Sequence, residues 1–137
     1  MEIIIHFVIA AILAGILFPF FSWYSLFGFI GGVLIDFDHY LAYIIKFRSL
    51  NFLKAYNYFK GKDFKKHEYT LFIFHSMELF ILLIVLSYFN RIILIITIGM
   101  AVHYAADFIY EINLSGRLLK NWWTIKWINK IRKKTKD

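Results

Sequence analysis

The sequence predicts an all-α integral membrane protein with four transmembrane helices, a central amphipathic cytoplasmic loop and a basic amphipathic C-terminal helix. The 137 residues are 61% hydrophobic and 21% aromatic, with a single proline, which is outside the usual range of soluble domains. Four stretches are long enough to cross a hydrocarbon core, which takes about 20 apolar residues per helix. They cover about 3–21, 25–45, 70–89 and 92–112. We expect them to form a single domain over 1–137.

The first segment is predicted to be a retained helix. It begins with Glu2 instead of a basic region and has no convincing small-residue cleavage site, so it does not fit a cleaved signal peptide. In the second segment, Gly28, Gly31 and Gly32 would allow a neighbouring helix to approach closely. Whether this helix continues through Gly31 and Gly32 or breaks there stays open.

Lysines and arginines lie on one side of the predicted membrane segments. They cluster between segments two and three and again after segment four, whereas only Arg91 lies on the other side. The positive-inside rule therefore places the central loop and both termini in the cytoplasm. We expect a multi-pass protein of the inner cell membrane. The net charge of +7 indicates attraction to membrane lipids, and no nucleic-acid motif accompanies it.

Two stretches outside the membrane segments have an interfacial pattern. Between about 49 and 66, large apolar side chains such as Leu53 and Tyr56 recur at helical spacing among lysines. The tail from about 117 to 135 combines Trp122 and Ile125 with many basic residues. Such helices lie in the headgroup layer of a membrane.

All five histidines lie near a carboxylate or near another histidine. Ionisable side chains at membrane depth are costly, and they indicate a functional site in the bundle interior. Asp36 and His39 are three residues apart, and His103, Asp107 and Glu111 follow at steps of four, so each set shares a helical face. In the predicted topology all these groups lie in the cytoplasmic half. The candidate metal ligands are His6, Asp36, Asp38, His39, His67, His75, His103 and Asp107.

The chain has no cysteine, so a metal would be bound through nitrogen and oxygen alone. Facing imidazoles and carboxylates are how helical bundles build metal sites, including sites for two ions. Zinc, manganese, iron and magnesium are chemically open; we favour one or two ions of zinc or manganese. Glu78 and Glu68 are the candidate catalytic residues, because a nearby carboxylate can take a proton from water.

Structural roles compete with these assignments. His6 fits an interfacial histidine, and His67 with Glu68 fits an ordinary helix start at which the dipole favours the glutamate. Glu78 and Glu111 could each pair with a lysine or a histidine. For the remaining candidates, the competing role is hydrogen bonding between helices. A charged carboxylate is a costly group for that role in a membrane.

The order of the motifs resembles one known family. An early histidine is followed by GGVLIDFDHY, then HEYTLFIFHSME, then AVHYAAD, which is similar to the membrane-bound metal-dependent hydrolases, also described as LexA-binding, inner-membrane-associated hydrolases. The similarity extends from His6 to Asp107 and rests on short motifs. Ile35 stands where that family often has proline, and the spacing from His67 to His75 is wider than its usual histidine pair.

The resemblance implies a metal-dependent hydrolase, and a site in the inner leaflet suits a lipid or lipid-linked ester or phosphoester. A metal or proton transporter is an alternative, since histidine and carboxylate chains form ion pathways in membranes. A non-catalytic adaptor with a structural metal is another.

The phosphatidic-acid phosphatase class is rejected because its arginine and Pro-Ser-Gly-His elements are absent. A serine hydrolase at Ser76 lacks the Gly-x-Ser-x-Gly elbow. The substrate and the oligomeric state stay open.

Overall fold

The computed structural model describes residues 3–59, 72–115, 123–124 and 128–129, and all regular structure within them is helical. The α-helices are α1 (Ile3–Phe21), α2 (Ser25–Leu34), α3 (Phe37–Phe47), α4 (Phe52–Phe59), α5 (Met77–Ser87) and α6 (Arg91–Ser115). A short 3-10 helix, Ser22–Tyr24, joins α1 to α2. The predicted all-α class is confirmed.

Two helical stretches, Ile3–Phe47 and Arg91–Asn113, are long and apolar enough to cross a membrane. The first of them contains α1, α2 and α3, and α1 packs against α2. Large apolar side chains cover the outside of the molecule: Phe20 is 72% exposed and Phe89 84%. An apolar surface of this extent is typical of a membrane protein or a protein interface. The structure therefore contains two candidate membrane-spanning stretches, and the expectation of four spanning helices stays a prediction.

The second predicted helix is interrupted, but two residues beyond the glycine pair. α2 ends at Leu34 and α3 begins at Phe37, so the helix continues through Gly31 and Gly32, which the sequence left open, and is interrupted at Ile35 and Asp36. At the junction, the backbone N–H of Asp36 donates to Val33 O at 3.1 Å and that of Asp38 to Ile35 O at 3.2 Å. These i→i−3 bonds form a tighter turn than the α-helix.

The third predicted helix begins later than expected. Ser76 caps α5, with its Oγ accepting from the backbone N–H of Leu79 at 3.3 Å, so the helix starts at Met77 and not at 70. The described residues just before it, 72–76, form a turn. With 11 residues, α5 is about 16 Å long, which is less than the roughly 30 Å of a hydrocarbon core.

α2 packs against both α1 and α6, and α5 packs against α6. Glycine makes the contact between α2 and α6 possible. A Cβ at Gly31 would overlap the carbonyl oxygen of Ile96, and one at Gly99 would overlap that of Gly28. The two backbones therefore touch, as small residues allow in membrane bundles.

α4 lies against α3, where Lys46 Nζ donates to the Tyr58 hydroxyl at 2.8 Å. Leu50 and Leu53 nearby are 75% and 71% exposed, as expected for part of an interfacial stretch. The remainder of that predicted stretch, 60–66, lies outside the described residues, as does most of 117–135.

Candidate metal centre

His75, His103 and Asp107 form the centre of a buried polar cluster. The two Nε2 atoms lie 3.3 Å apart. Asp107 Oδ2 is 3.6 Å from His75 Nε2 and 3.5 Å from His103 Nε2. All three residues are at most 2% exposed. His103 and Asp107 are four residues apart on α6, so they share a face of that helix, whereas His75 comes from the turn before α5.

His6 and Asp36 extend the cluster toward α1 and the junction of α2 with α3. His6 Nε2 lies 3.1 Å from Asp107 Oδ1, and its ring stacks on that of His103 with centroids 3.9 Å apart. Asp36 Oδ1 lies 3.8 Å from His103 Nε2 and 3.8 Å from His39 Nδ1. Asp107 therefore faces His6 with Oδ1, and it faces His75 and His103 with Oδ2.

Six of the predicted ligands fall into three overlapping groups. Each group offers three ligand atoms within 4.8 Å of one another. The groups are His6 with Asp36 and His103, Asp36 with His39 and His75, and His75 with His103 and Asp107. Together they join side chains from α1, the α2–α3 junction, α3, the turn before α5, and α6.

The backbone of α2 fixes the orientation of His103. Its Nδ1 lies 2.7 Å from the carbonyl oxygen of Gly32, which can only accept, so Nδ1 carries the hydrogen. His103 Nε2 is then the unprotonated nitrogen, and its lone pair is directed at His75 and Asp107. This is the arrangement of a metal-ligating histidine, whose second nitrogen usually donates to a carbonyl or a carboxylate.

The donor set fits a metal ion. Within the described part of the chain, His6 Nδ1 and Asp36 Oδ2 are buried without a hydrogen-bond partner, which is uncommon in folded proteins and calls for an ion or a water. Imidazole nitrogens and carboxylate oxygens suit zinc, manganese or iron. The buried His/Asp groups can therefore hold a metal ion.

Asp38 is buried beside the cluster but belongs to none of the three groups. Its Oδ2 accepts from the backbone N–H groups of Phe74 at 2.5 Å and His75 at 3.1 Å. It also lies 3.4 Å from His75 Nδ1.

Of the two predicted proton acceptors, Glu78 and Glu68, the structure describes only Glu78. Glu78, in the first turn of α5, accepts from the backbone N–H of Thr124 at 3.2 Å, and it is not part of a ligand group. Glu111 is buried one turn beyond Asp107 on α6. His67 and Glu68 lie outside the described residues. The roles assigned to these residues stay predictions.

Sequence reasoning missed two contributions to the site. One is the carbonyl of Gly32, because a backbone acceptor leaves no signal in the residue pattern. The other is the capping role of Ser76 at the start of α5. Serine followed at the second position by glutamate, Ser76-Met77-Glu78, is a recognisable helix-start signal.

No protein-family model, curated protein or solved structure matches the chain.

Proposed function

We propose that this chain is a metal-dependent hydrolase of the inner membrane that acts on a lipid or lipid-linked ester at the His/Asp cluster. The observation that carries the proposal is the convergence of His75 Nε2 and His103 Nε2, 3.3 Å apart, beside the carboxylate of Asp107. Two imidazole nitrogens and a carboxylate at one buried point are ligands for a cation.

The residues that would hold the metal are those of the three groups, and Asp36, His75 and His103 each belong to two of them. A bound divalent ion supplies Lewis-acid polarisation of an ester or phosphoryl group and makes water more acidic. Glu78 is our candidate for the proton acceptor. The resemblance of the motifs to membrane-bound metal-dependent hydrolases agrees with this assignment.

The apolar exterior supports a lipid-like substrate. Among the candidate ligands that the structure describes, Asp36 and His39 are the least buried, with side chains 9% and 14% exposed. The ring of Phe59 lies 5.1 Å from the His39 ring, and that of Phe72 lies 4.5 Å from it. A site bordered by aromatic rings suits a substrate that carries a hydrocarbon chain.

A transport pathway is less well supported, because it needs polar groups along the whole bundle. In the described portions of the chain, the buried polar residues toward the α1–α2 and α5–α6 turns are Ser25 and Thr97. Thr97 Oγ1 donates to the carbonyl of Ile93, in its own helix, at 2.7 Å. Neither residue is ionisable.

Metal content and hydrolysis should be measured on the same detergent-purified samples. The protein is treated with a chelator, resupplied with zinc or manganese, and analysed for bound metal. It is then assayed on lipid phosphoesters and on carboxylic esters. The test variants are His103→Ala and Asp107→Asn. Thr97→Val is the matched control, since it removes a buried polar group from the same helix.

We expect stoichiometric metal and hydrolysis in the wild type and in Thr97→Val, and the loss of both in folded His103→Ala and Asp107→Asn. A wild type that binds no metal after resupply would overturn the proposal. Bound metal without hydrolysis of either ester class, together with unfolding when ligands are replaced, would favour the adaptor with a structural metal.

A further inference from the structure

Asp38 contacts the site from outside its ligand groups. We propose that Asp38 is a positioning residue that holds the hydrogen of His75 on Nδ1, so that His75 presents Nε2 to the metal. The inference rests on the proposed metal centre, and it changes the predicted role of Asp38 from ligand to partner of a ligand.

Three nitrogen atoms lie within hydrogen-bonding distance of Asp38 Oδ2. Two are the backbone N–H groups of Phe74 and His75, and the third is His75 Nδ1. Asp38 lies in the first turn of α3, where the helix dipole favours a carboxylate. A carboxylate that accepts hydrogen bonds from two backbone N–H groups takes its orientation from the fold and not from the rotamer preference of its side chain.

The same turn is held from its other side by Tyr104. The Tyr104 hydroxyl lies 2.9 Å from Phe74 O and 3.2 Å from Ser76 O. Asp38 thus binds the N–H groups of this turn, and Tyr104 binds its carbonyl groups. Only Asp38 also contacts the imidazole of His75 through a hydrogen bond, which gives the two residues separable effects.

The contact with Nδ1 determines which tautomer His75 adopts. An ionised carboxylate has only acceptors, so the hydrogen of the neutral ring lies on Nδ1, 3.4 Å away, at the long end of hydrogen-bonding distance. His75 Nε2 then carries the lone pair that points at His103 and Asp107. The opposite tautomer would direct a lone pair at the Asp38 carboxylate and a hydrogen at the metal position.

The geometry argues against Asp38 as a direct ligand. Oδ2 lies at the Nδ1 edge of His75, whereas His103 Nε2 and Asp107 Oδ2 lie at its Nε2 edge. A carboxylate that accepts a hydrogen bond from a metal-binding histidine is a common arrangement. Loss of that carboxylate typically costs 10–100-fold in metal affinity. His103 uses the same arrangement with the neutral carbonyl of Gly32 in place of the carboxylate.

The first test is the tautomer of each histidine in metal-free protein, measured by nuclear magnetic resonance of samples labelled with 15N at histidine. We expect the wild type to carry the hydrogen on Nδ1 in both His75 and His103. In Asp38→Ala, we expect His75 to become a mixture of tautomers while His103, held by Gly32, stays unchanged. Tyr104→Phe is the matched control and should leave His75 unchanged.

The second test uses cobalt(II) as the probe and Asp38→Asn as the variant, because asparagine keeps an oxygen for the two backbone N–H groups. We expect cobalt affinity to fall 10–100-fold while the shape of the cobalt absorption spectrum stays that of the wild type. Tyr104→Phe should lose clearly less affinity. This variant keeps the inference testable if Asp38→Ala does not fold.

Three outcomes would overturn the positioning role: a hydrogen on Nε2 of His75 in the metal-free wild type, an altered cobalt spectrum in Asp38→Asn, or equal losses of affinity in Asp38→Asn and Tyr104→Phe. The first of these is measured without metal or substrate. It therefore separates failure of this inference from failure of the proposed function, which a wild type unable to bind any divalent metal would reveal.

Discussion

The Nε2 atoms of His75 and His103 face each other at 3.3 Å, and each ring is held at its other nitrogen. Gly32 O takes the Nδ1 hydrogen of His103, and Asp38 lies against Nδ1 of His75. With the hydrogen of each ring on Nδ1, as we propose for His75, two nitrogen lone pairs point at each other and repel, and a low-dielectric interior strengthens that repulsion. A cation between them turns the repulsion into two favourable contacts.

Metal removal should therefore lower the stability of the protein. A ligand present at 100 times its dissociation constant stabilises the folded state by about 2.7 kcal/mol. We expect the unfolding midpoint of chelated protein in detergent to rise when zinc or manganese is added back. His103→Ala should show no such rise, whereas Thr97→Val should respond as the wild type does. An equal rise in all three would indicate binding elsewhere.

Substitution at the glycine contact should be destabilising. In Gly31→Ala and Gly99→Ala the new methyl group meets a backbone carbonyl of the facing helix, so α2 and α6 must separate. Overpacking of this kind costs about 1–3 kcal/mol. Thermal unfolding in detergent measures the loss.

Gly15→Ala is the control for this pair. A Cβ at Gly15 meets nothing within 4 Å, and alanine in place of glycine at a compatible position stabilises by about 0.4–1 kcal/mol. A loss of stability at Gly15 as large as that at Gly31 would show that the contact between α2 and α6 is not the cause.

Ser76→Ala should shorten or fray the start of α5 without removing metal binding. Loss of a serine N-cap costs about 0.5–2 kcal/mol, because the N–H of Leu79 loses its acceptor. Ser76→Gly should cost only a few tenths of a kcal/mol. Unfolding curves of both variants, with metal analysis of the folded protein, provide the test. Loss of hydrolysis in a folded Ser76→Ala that keeps its metal would point to a serine nucleophile.

The predicted topology can be tested with single cysteines, since the chain contains none. Tyr88 is 90% exposed and Leu50 is 75% exposed, so both positions should accept a thiol. In intact cells, a membrane-impermeant maleimide should label Tyr88→Cys, and Leu50→Cys only after the membrane is opened. The reverse pattern would invert the orientation, and labelling of both in intact cells would contradict a spanning arrangement.

Long apolar runs located two helices well. The first segment was predicted at 3–21 and α1 is Ile3–Phe21; the last was predicted at 92–112 and α6 is Arg91–Ser115. A hydropathy window identifies such runs because their whole length is apolar. It does not detect a break within an apolar run, so it missed the tight turn at Asp36 and the cap at Ser76.

The candidate site was predictable where one helix carries two of its members. The four-residue step from His103 to Asp107 fixes their common face before any tertiary structure is known. Asp38 and His75 are separated by 37 residues, and their contact depends on how α3 meets the turn before α5. Spacing along the chain could therefore identify Asp38 as a candidate but could not distinguish a ligand from the partner of a ligand.

The acceptor for His103 is a peptide carbonyl, and this has a practical consequence for redesign. No exchange of the side chain at a ligand position removes that acceptor, because it is part of the backbone of α2. Libraries that vary the side chains at positions 6, 36, 39 and 107 should therefore retain a correctly oriented imidazole at His103 as a fixed reference. The metal preference of the centre can then be altered around one constant ligand, provided that the glycines at the contact between α2 and α6 are kept.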